Sequence, residues 1–358
     1  MALVLHVVGA RPNFVKVAPV VRALAARGAS QRLVHTGQHH GARMSDVFFE
    51  DLGLPQPEVH LGVGAGSHAE QTARIMLAFE RALLELPRPD WVVVPGDVNS
   101  TLAAALVAAK LGLRVAHLEA GLRSYDRAMP EELNRVAVDH LADLLLTPSA
   151  DADRNLAREG IPAARVECVG NAMIDSLVAA LPAARARRVP ERLGLTPGAY
   201  GVVTLHRPSN VDEPAVLRRL LAALDEVSRA LPLVFPVHPR TRAALASAGA
   251  APAEVRVIEP LGYLDFLSLL ASARLALTDS GGVQEETTAL GVPCLTLRDR
   301  TERPVTVDEG TNQVVGTDPV RVAGAARRTL ASPPPARCPP LWDGRAGERI
   351  ARALLERT

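Results

Sequence analysis

Short apolar, β-branched runs recur along this chain, separated by longer Ala- and Leu-rich amphipathic stretches. Leu3 to Val8, Arg32 to Thr36, Trp91 to Val94, Arg114 to Leu118 and Asp143 to Thr147 read as strands, and Val15 to Arg27 and Thr101 to Leu111 as helices between them. A βαβα rhythm of this kind argues for a parallel sheet with helices on both faces. The strands are continuous apolar runs rather than alternating ones, as expected when both sheet faces are covered.

The rhythm restarts after about residue 185, with Gly201 to Leu205, Leu233 to Val237, Val255 to Ile258, Leu275 to Thr278 and Val292 to Leu297 as a second set of strands. At about 150 residues per domain, 358 residues also suit two domains. The charged, Pro-ended stretch Arg185 to Pro190 suits a linker. Ser332 to Pro340 holds five prolines in nine residues and is expected to be extended or turn, not helix. The last segment, Gly347 to Glu356, is helical by pattern. The expected division is a Rossmann-like domain over 1–175, onto which a helix over 345–358 packs back, and a second Rossmann-like domain over 176–344. Open α/β sheets bind ligands at the carboxyl ends of their strands, and two such crevices can face each other. The chemistry should then sit just after strands.

Composition excludes several alternatives. Forty basic residues against 39 acidic ones give a formal charge of +1, which argues against nucleic-acid and membrane-surface binders, and 3% aromatics against base stacking. Cys168, Cys294 and Cys338 are odd in number, widely spaced and form no CxxC pair, so neither a disulfide framework nor a cysteine zinc site is expected. Met1 to Ala10 reads as a first strand rather than a signal peptide, and no run of 18 apolar residues exists. A cytoplasmic protein is expected.

Motifs follow the strands. Gly9-Ala10-Arg11-Pro12-Asn13-Phe14-Val15-Lys16 ends a strand and opens a helix, where free N–H groups favour an anion. Of the 40 basic residues only Lys16 and Lys110 are lysines, so a lysine here stands out from an Arg-rich background. A solvated surface turn is the plainer alternative. Asp97, in Pro95-Gly96-Asp97-Val98-Asn99-Ser100, follows another strand, where it could equally be a helix cap. Glu119 follows the strand ending in His117-Leu118. Pro130-Glu131-Glu132 fits the first turn of a helix, where acids also serve helix-end electrostatics. Asp97, Glu119 and Glu131 thus fall at strand ends of one sheet, and carboxylates gathered in a crevice make acid/base sets.

In the second half, His206-Arg207 and His238-Pro239-Arg240 follow strands and suit a phosphate or a departing anion. The strongest phosphate signal is Asp279-Ser280-Gly281-Gly282-Val283-Gln284-Glu285-Glu286, where glycines let a phosphate approach helix N–H groups. Glu286, one turn in, could accept ribose hydroxyls, and Arg298 to Pro304 supplies further cations. No strand–GxGxxG–helix fingerprint or HExxH is present. Asp151-Ala152-Asp153 reads better as a helix start than as a metal motif, and His39-His40 has no spaced partner. Neither a nicotinamide cofactor nor a catalytic metal is expected.

In this order, these motifs resemble the non-hydrolysing UDP-N-acetylglucosamine 2-epimerases. The resemblance runs from Gly9-Ala10-Arg11-Pro12 to Gly316-Thr317-Asp318 and takes in His35-Thr36-Gly37-Gln38-His39, Pro95-Gly96-Asp97, His117 to Arg123, Pro130-Glu131-Glu132-Leu133-Asn134-Arg135, His206-Arg207, Asp279 to Glu286 and Thr301 to Pro304. It implies a GT-B-like pair of doubly wound domains facing across a cleft, a homodimer, and no cofactor. It implies interconversion of UDP-N-acetylglucosamine and UDP-N-acetylmannosamine by elimination of UDP to 2-acetamidoglucal and re-addition. A related subgroup acting on UDP-2,3-diacetamido-glucuronic acid and hydrolysing epimerases are the alternatives. By matched motif, Asp97, Glu119, Glu131 and His206 are the catalytic candidates. Arg11, Lys16, Arg135, Arg207, His238, Ser280, Gly281, Gly282, Glu286 and Arg303 are the candidates for substrate, with Phe266 near uracil. Glu70 stands where some members carry an arginine for a second, activating substrate molecule, and Leu261 where some carry Gln.

Overall fold

The computed structural model describes residues 2–38 and 52–358, with Arg11 described by its backbone alone. Two parallel sheets organise these residues. The first contains β1 (Leu3–Val8), β2 (Ser30–His35), β3 (Val59–His60), β4 (Trp91–Pro95), β5 (Val115–Leu118), β6 (Leu144–Thr147) and β7 (Val166–Cys168), in the order 3-2-1-4-5-6-7. The second contains β8 (Gly201–Thr204), β9 (Leu233–Pro236), β10 (Arg256–Ile258), β11 (Leu275–Thr278), β12 (Cys294–Thr296) and β13 (Asn312–Val314), in the order 10-9-8-11-12-13. The strand order reverses between β1 and β4, and again between β8 and β11. Such a reversal leaves a crevice at the carboxyl edge of an open α/β sheet.

Every strand expected from the sequence forms. The edge strands β3, β7 and β13 were not foreseen. They are 2, 3 and 3 residues long, too short to carry a periodicity. In the second sheet Val203, Leu275, Leu277 and Phe235 pack into one buried cluster, while Val202, Val234, Ala276 and Tyr200 pack into another. Successive side chains on each strand thus point to opposite faces, and both faces are buried.

The chain divides into two compact units, 1–179 with 340–358, and 180–339. The expected bounds were 175/176 and 344/345; these units divide at 179/180 and 339/340. The helix Ala172–Ala186 runs through residue 175, because its Ala-rich sequence favours continued helix. The expected linker Arg185 to Pro190 is the end of that helix, then Arg188 at φ +49°, then a short helix Val189–Arg192. The first unit resumes at Pro340, ahead of 345.

Ser332 to Pro340 is irregular, as its prolines require. The helix Ala346–Glu356 packs on the helix Arg11–Ala25, and a Cβ at Gly347 would lie 2.6 Å from the Pro19 carbonyl oxygen, so glycine permits the close approach. Asp175 accepts from the N–H groups of Ala346 and Gly347 at 3.1 and 2.7 Å. Trp342 Nε1 donates to the Pro148 carbonyl and Trp91 Nε1 to that of Leu354. Among the described residues no helix is long and apolar enough to cross a membrane.

Candidate active site

In the first unit the loops after β1, β4 and β5 meet at the strand-order reversal. Asn13 ties two of them together. Its Oδ1 accepts from the N–H groups of Gly9 and Ala10, both at 3.0 Å, and its Nδ2 donates to the Pro95 carbonyl at the end of β4. Lys16, one turn further along the helix, is 6% exposed, which sets aside a solvated surface lysine. Its ammonium donates to Glu119 Oε2 in a buried ion pair. Glu119 itself sits at φ +70°, a left-handed conformation that costs a non-glycine residue about 1–3 kcal/mol and concentrates at functional sites. Gly96, at φ +68°, leaves the room this pair needs, since a Cβ there would lie 2.9 Å from Lys16 Nζ.

Asp97 is not a helix cap. The cap position of the helix Asn99–Lys110 is Val98, with no side-chain hydrogen bond. The Asp97 carboxylate is instead gripped by Arg135, whose Nε and Nη2 lie 2.9 and 2.7 Å from Oδ2. Arg135 is 3% exposed and also donates from Nη1 to Glu132 at 2.7 Å. Glu132 further accepts from the N–H groups of Ser124 and Tyr125, so it anchors that loop. Glu131, its neighbour in the first turn of the helix Pro130–Leu141, is half-buried. Arg135 thus holds a catalytic candidate.

In the second unit β8 and β11 end in register, Thr204 opposite Thr278. This brings His206 to Asp279, with Nδ1 3.0 Å from Oδ1. Asp279 is fully buried and also accepts from the N–H groups of His206 and Arg207 and from Asn210 Nδ2. Burial alone would push its carboxyl up, but the His206 ring and these N–H groups hold it below the usual carboxylate range. The His238 ring lies 5.8 Å from that of His206, and its Nδ1 caps the helix Pro239–Ser247 by accepting from Arg240 N–H.

The turn after β11 opens the helix Gly281–Leu290, capped by Ser280 Oγ. A Cβ on Gly281 would lie 2.4 Å from Arg303 Nη1, so glycine lets that guanidinium sit at the helix N-terminus. Buried Glu302 gathers three arginines there: Arg207 at 3.3 Å, Arg298 at 2.8 Å and Arg303 at 2.8 Å. Arg303 Nε also lies 3.0 Å from Glu285 Oε1. Three guanidiniums against two carboxylates beside helix N–H groups favour an anion. Gly282 is half-buried in the same turn. Burial, with Glu285 adjacent, pushes the Glu286 carboxyl up to about 8. Phe266 packs half-buried against the cluster around Tyr200 and Leu269.

Arg11 begins its helix, and its side chain lies outside the description, as do His39 and His40. Asp151 and Asp153 lie in the first turn of the helix Ala150–Arg158. Among the described residues no group of three or more His, Cys, Asp or Glu is placed to hold a metal ion. Glu70 forms a capping box with Ser67, each side chain accepting from the other's backbone N–H. Sequence reasoning passed over Asn13, Asp279 and Glu302 as functional residues. Asp279 lies 73 residues from His206, and only β8–β11 pairing brings them together.

The sequence matches the family profile described as UDP-N-acetylglucosamine 2-epimerase over residues 22–355. It is 41% identical to a UDP-N-acetylglucosamine 2-epimerase of Methanocaldococcus jannaschii, with 97% of each chain covered. It is 40% identical to a UDP-2,3-diacetamido-2,3-dideoxy-D-glucuronate 2-epimerase of Pseudomonas aeruginosa, with 99% of each covered. The fold matches a crystal structure of the M. jannaschii UDP-GlcNAc 2-epimerase in complex with UDP-GlcNAc and UDP, at TM-score 0.92, 41% identity and 99% coverage of both chains. With nearly full-length identity of this order, a matching fold and the family's motifs at the reversal of each sheet, the chain belongs to the UDP-N-acetylglucosamine 2-epimerase family.

Proposed function

We propose that this protein interconverts UDP-N-acetylglucosamine and UDP-N-acetylmannosamine. The observation that carries this reading is the Asp97 carboxylate held by Arg135 in a member of this family, with Glu119 directly after β5 of the same sheet and Glu131 in the first turn of the helix that carries Arg135.

The chemistry explains why such groups are needed. C2 of the sugar is not next to a carbonyl, so its proton is not acidic enough for simple enolisation. Cleavage of the C1–O bond develops oxocarbenium character at C1, which acidifies the C2 proton. A carboxylate takes that proton, the C–H electron pair becomes the C1–C2 double bond, and 2-acetamidoglucal and UDP result. Return of UDP to C1 with protonation of the opposite face of C2 gives the epimer. In this reading Asp97, Glu119 and Glu131 supply the acid and base. His206, Arg207, Arg303, Ser280, Gly281 and Gly282 bind the diphosphate, and Glu286 the ribose. Preorganised cations and N–H groups stabilise UDP both as leaving group and as nucleophile. Arg11, Lys16, His238 and Phe266 complete the substrate set. In this reading the working form is a cytoplasmic homodimer: the family resemblance supports the dimer, and the wide, CxxC-free spacing of Cys168, Cys294 and Cys338 suits a reducing compartment.

Incubation with UDP-N-acetylglucosamine in D2O tests the reading. Deuterium is expected at C2 of both UDP-sugars. Absence of both exchange and turnover overturns it. The 40% identity to the P. aeruginosa enzyme makes UDP-2,3-diacetamido-glucuronate the second substrate to assay. Free N-acetylmannosamine as the main product supports hydrolysis instead.

A further inference from the structure

β5 carries another polar side chain into the first unit. His117 is fully buried, and no role above uses it. Its Nδ1 lies 2.6 Å from Asp139 Oδ1, and its Nε2 lies 2.8 Å from the Gly96 carbonyl oxygen. Both partners are acceptors. A neutral imidazole has one N–H and would set a bare lone pair against one of these oxygens, whereas the doubly protonated ring donates to both.

The surroundings supply the compensating charges. Asp139 Oδ2 lies 2.7 Å from Arg123 Nη1 and accepts from the Gly121 N–H at 3.1 Å. Glu159 accepts the Nε and Nη2 arms of Arg123, both at 2.7 Å. His117, Asp139, Arg123 and Glu159 therefore alternate in sign and close to neutrality, which is how charge survives burial. Burial would push the Asp139 carboxyl up, yet the His117 ring and Arg123 hold it below the usual range.

The array grips the peptide that leads into Asp97. The Gly96 carbonyl belongs to the Gly96–Asp97 peptide, and the glycine's φ of +68° marks a turn with no side chain to fix it. His117 takes that carbonyl, Asn134 Nδ2 takes the Asp97 carbonyl at 2.8 Å, and Arg135 takes the Asp97 carboxylate. Asn134, Arg135 and Asp139 all belong to the helix Pro130–Leu141, with Arg135 and Asp139 one turn apart on the same face. We propose that His117 is a positioning residue: its buried imidazolium, paired with Asp139, fixes the Gly96–Asp97 turn and so sets where the Asp97 carboxylate stands. The kinetic part rests on the epimerase reading; the charge on His117 does not.

Two measurements on the full-length protein test this. The first is ¹⁵N NMR of histidine side chains without substrate, with the His117 signal assigned by its loss in His117→Leu or, if that variant does not fold, in His117→Gln. Both ring nitrogens are expected to carry a proton, as their two acceptor partners require, and one bare nitrogen overturns the proposal. The second compares His117→Leu, His117→Gln and Asp139→Asn. A misplaced catalytic group costs on the order of 100-fold, so kcat and C2 exchange should fall by about that factor in His117→Leu and Asp139→Asn. KM and UDP affinity should stay within about threefold. His117→Gln, whose amide can still donate to Gly96, should recover part of kcat. Unchanged kcat, or a loss that only tracks the folded fraction, overturns the positioning role. If the native enzyme exchanges no C2 proton, the epimerase reading fails, and the NMR result still decides the charge.

Discussion

Lys16 and Glu119 form an ion pair with side chains 7% and 8% exposed, seated against a glycine at the end of β4. The pair joins the first helix of the chain to the end of β5 and places a charged carboxylate on a strained backbone. A charge removed from water is tolerable while its partner is present and costly without it.

Removing the ammonium should therefore expose that cost. Lys16→Met is expected to destabilise the first unit by about 3–5 kcal/mol. Adding Glu119→Gln should restore much of it, giving a double mutant less destabilised than the sum of the singles. Urea unfolding of the four proteins measures the coupling.

Gly96→Ala should cost more than Gly28→Ala. Both glycines have positive φ, +68° and +74°. A Cβ at Gly28 meets open space, whereas at Gly96 it meets Lys16 Nζ at 2.9 Å. Backbone strain of about 1–3 kcal/mol is common to both, so the difference in their urea midpoints reports the crowding.

Asp97→Asn should keep the fold and lose turnover by about 100- to 10,000-fold, the range for a general acid or base. UDP affinity by calorimetry should be nearly unchanged. Arg135→Lys should also lower kcat, because an ammonium cannot reproduce the paired Nε and Nη2 donors to Asp97.

Stability should respond to pH in opposite senses in the two units. Glu286 is raised from 4.5 to about 8, so the folded second unit holds this proton more tightly than the unfolded chain. Its contribution is fully present below pH 4.5 and is lost as pH rises towards about 8. His6 and His35 are lowered from 6.5 to about 4, mainly by burial. The first unit therefore loses stability as pH falls from 6.5 towards about 4. Glu286→Gln should flatten the second unit's loss of melting temperature between pH 4.5 and about 8 and leave the first unit's decline below pH 6.5 unchanged.

Truncation after Pro339 should unfold the first unit selectively. It removes Trp342, the cover over the helix Arg11–Ala25, and the Leu354 carbonyl that Trp91 uses. Hydrogen exchange should show lost protection in β1, β4 and β5 with β8 and β11 still protected.

The strands that bear chemistry were legible because each is a continuous apolar run, and burial on both faces demands that pattern. The loops were legible for a similar reason: Gly96, Gly281 and Ser280 are needed where a chain leaves a strand and begins a helix. Pairing was not legible. No local pattern says that Arg135 grips Asp97, that Asp279 orients His206, or that His117 reaches the Gly96 carbonyl. By itself the sequence determined a twofold α/β chain with acids after its first strands and an anion turn in its second half. The tertiary structure alone decided which acid takes which cation, because partners 38, 73 and 103 residues apart meet only when parallel strands align in register and their helices cross over the sheet.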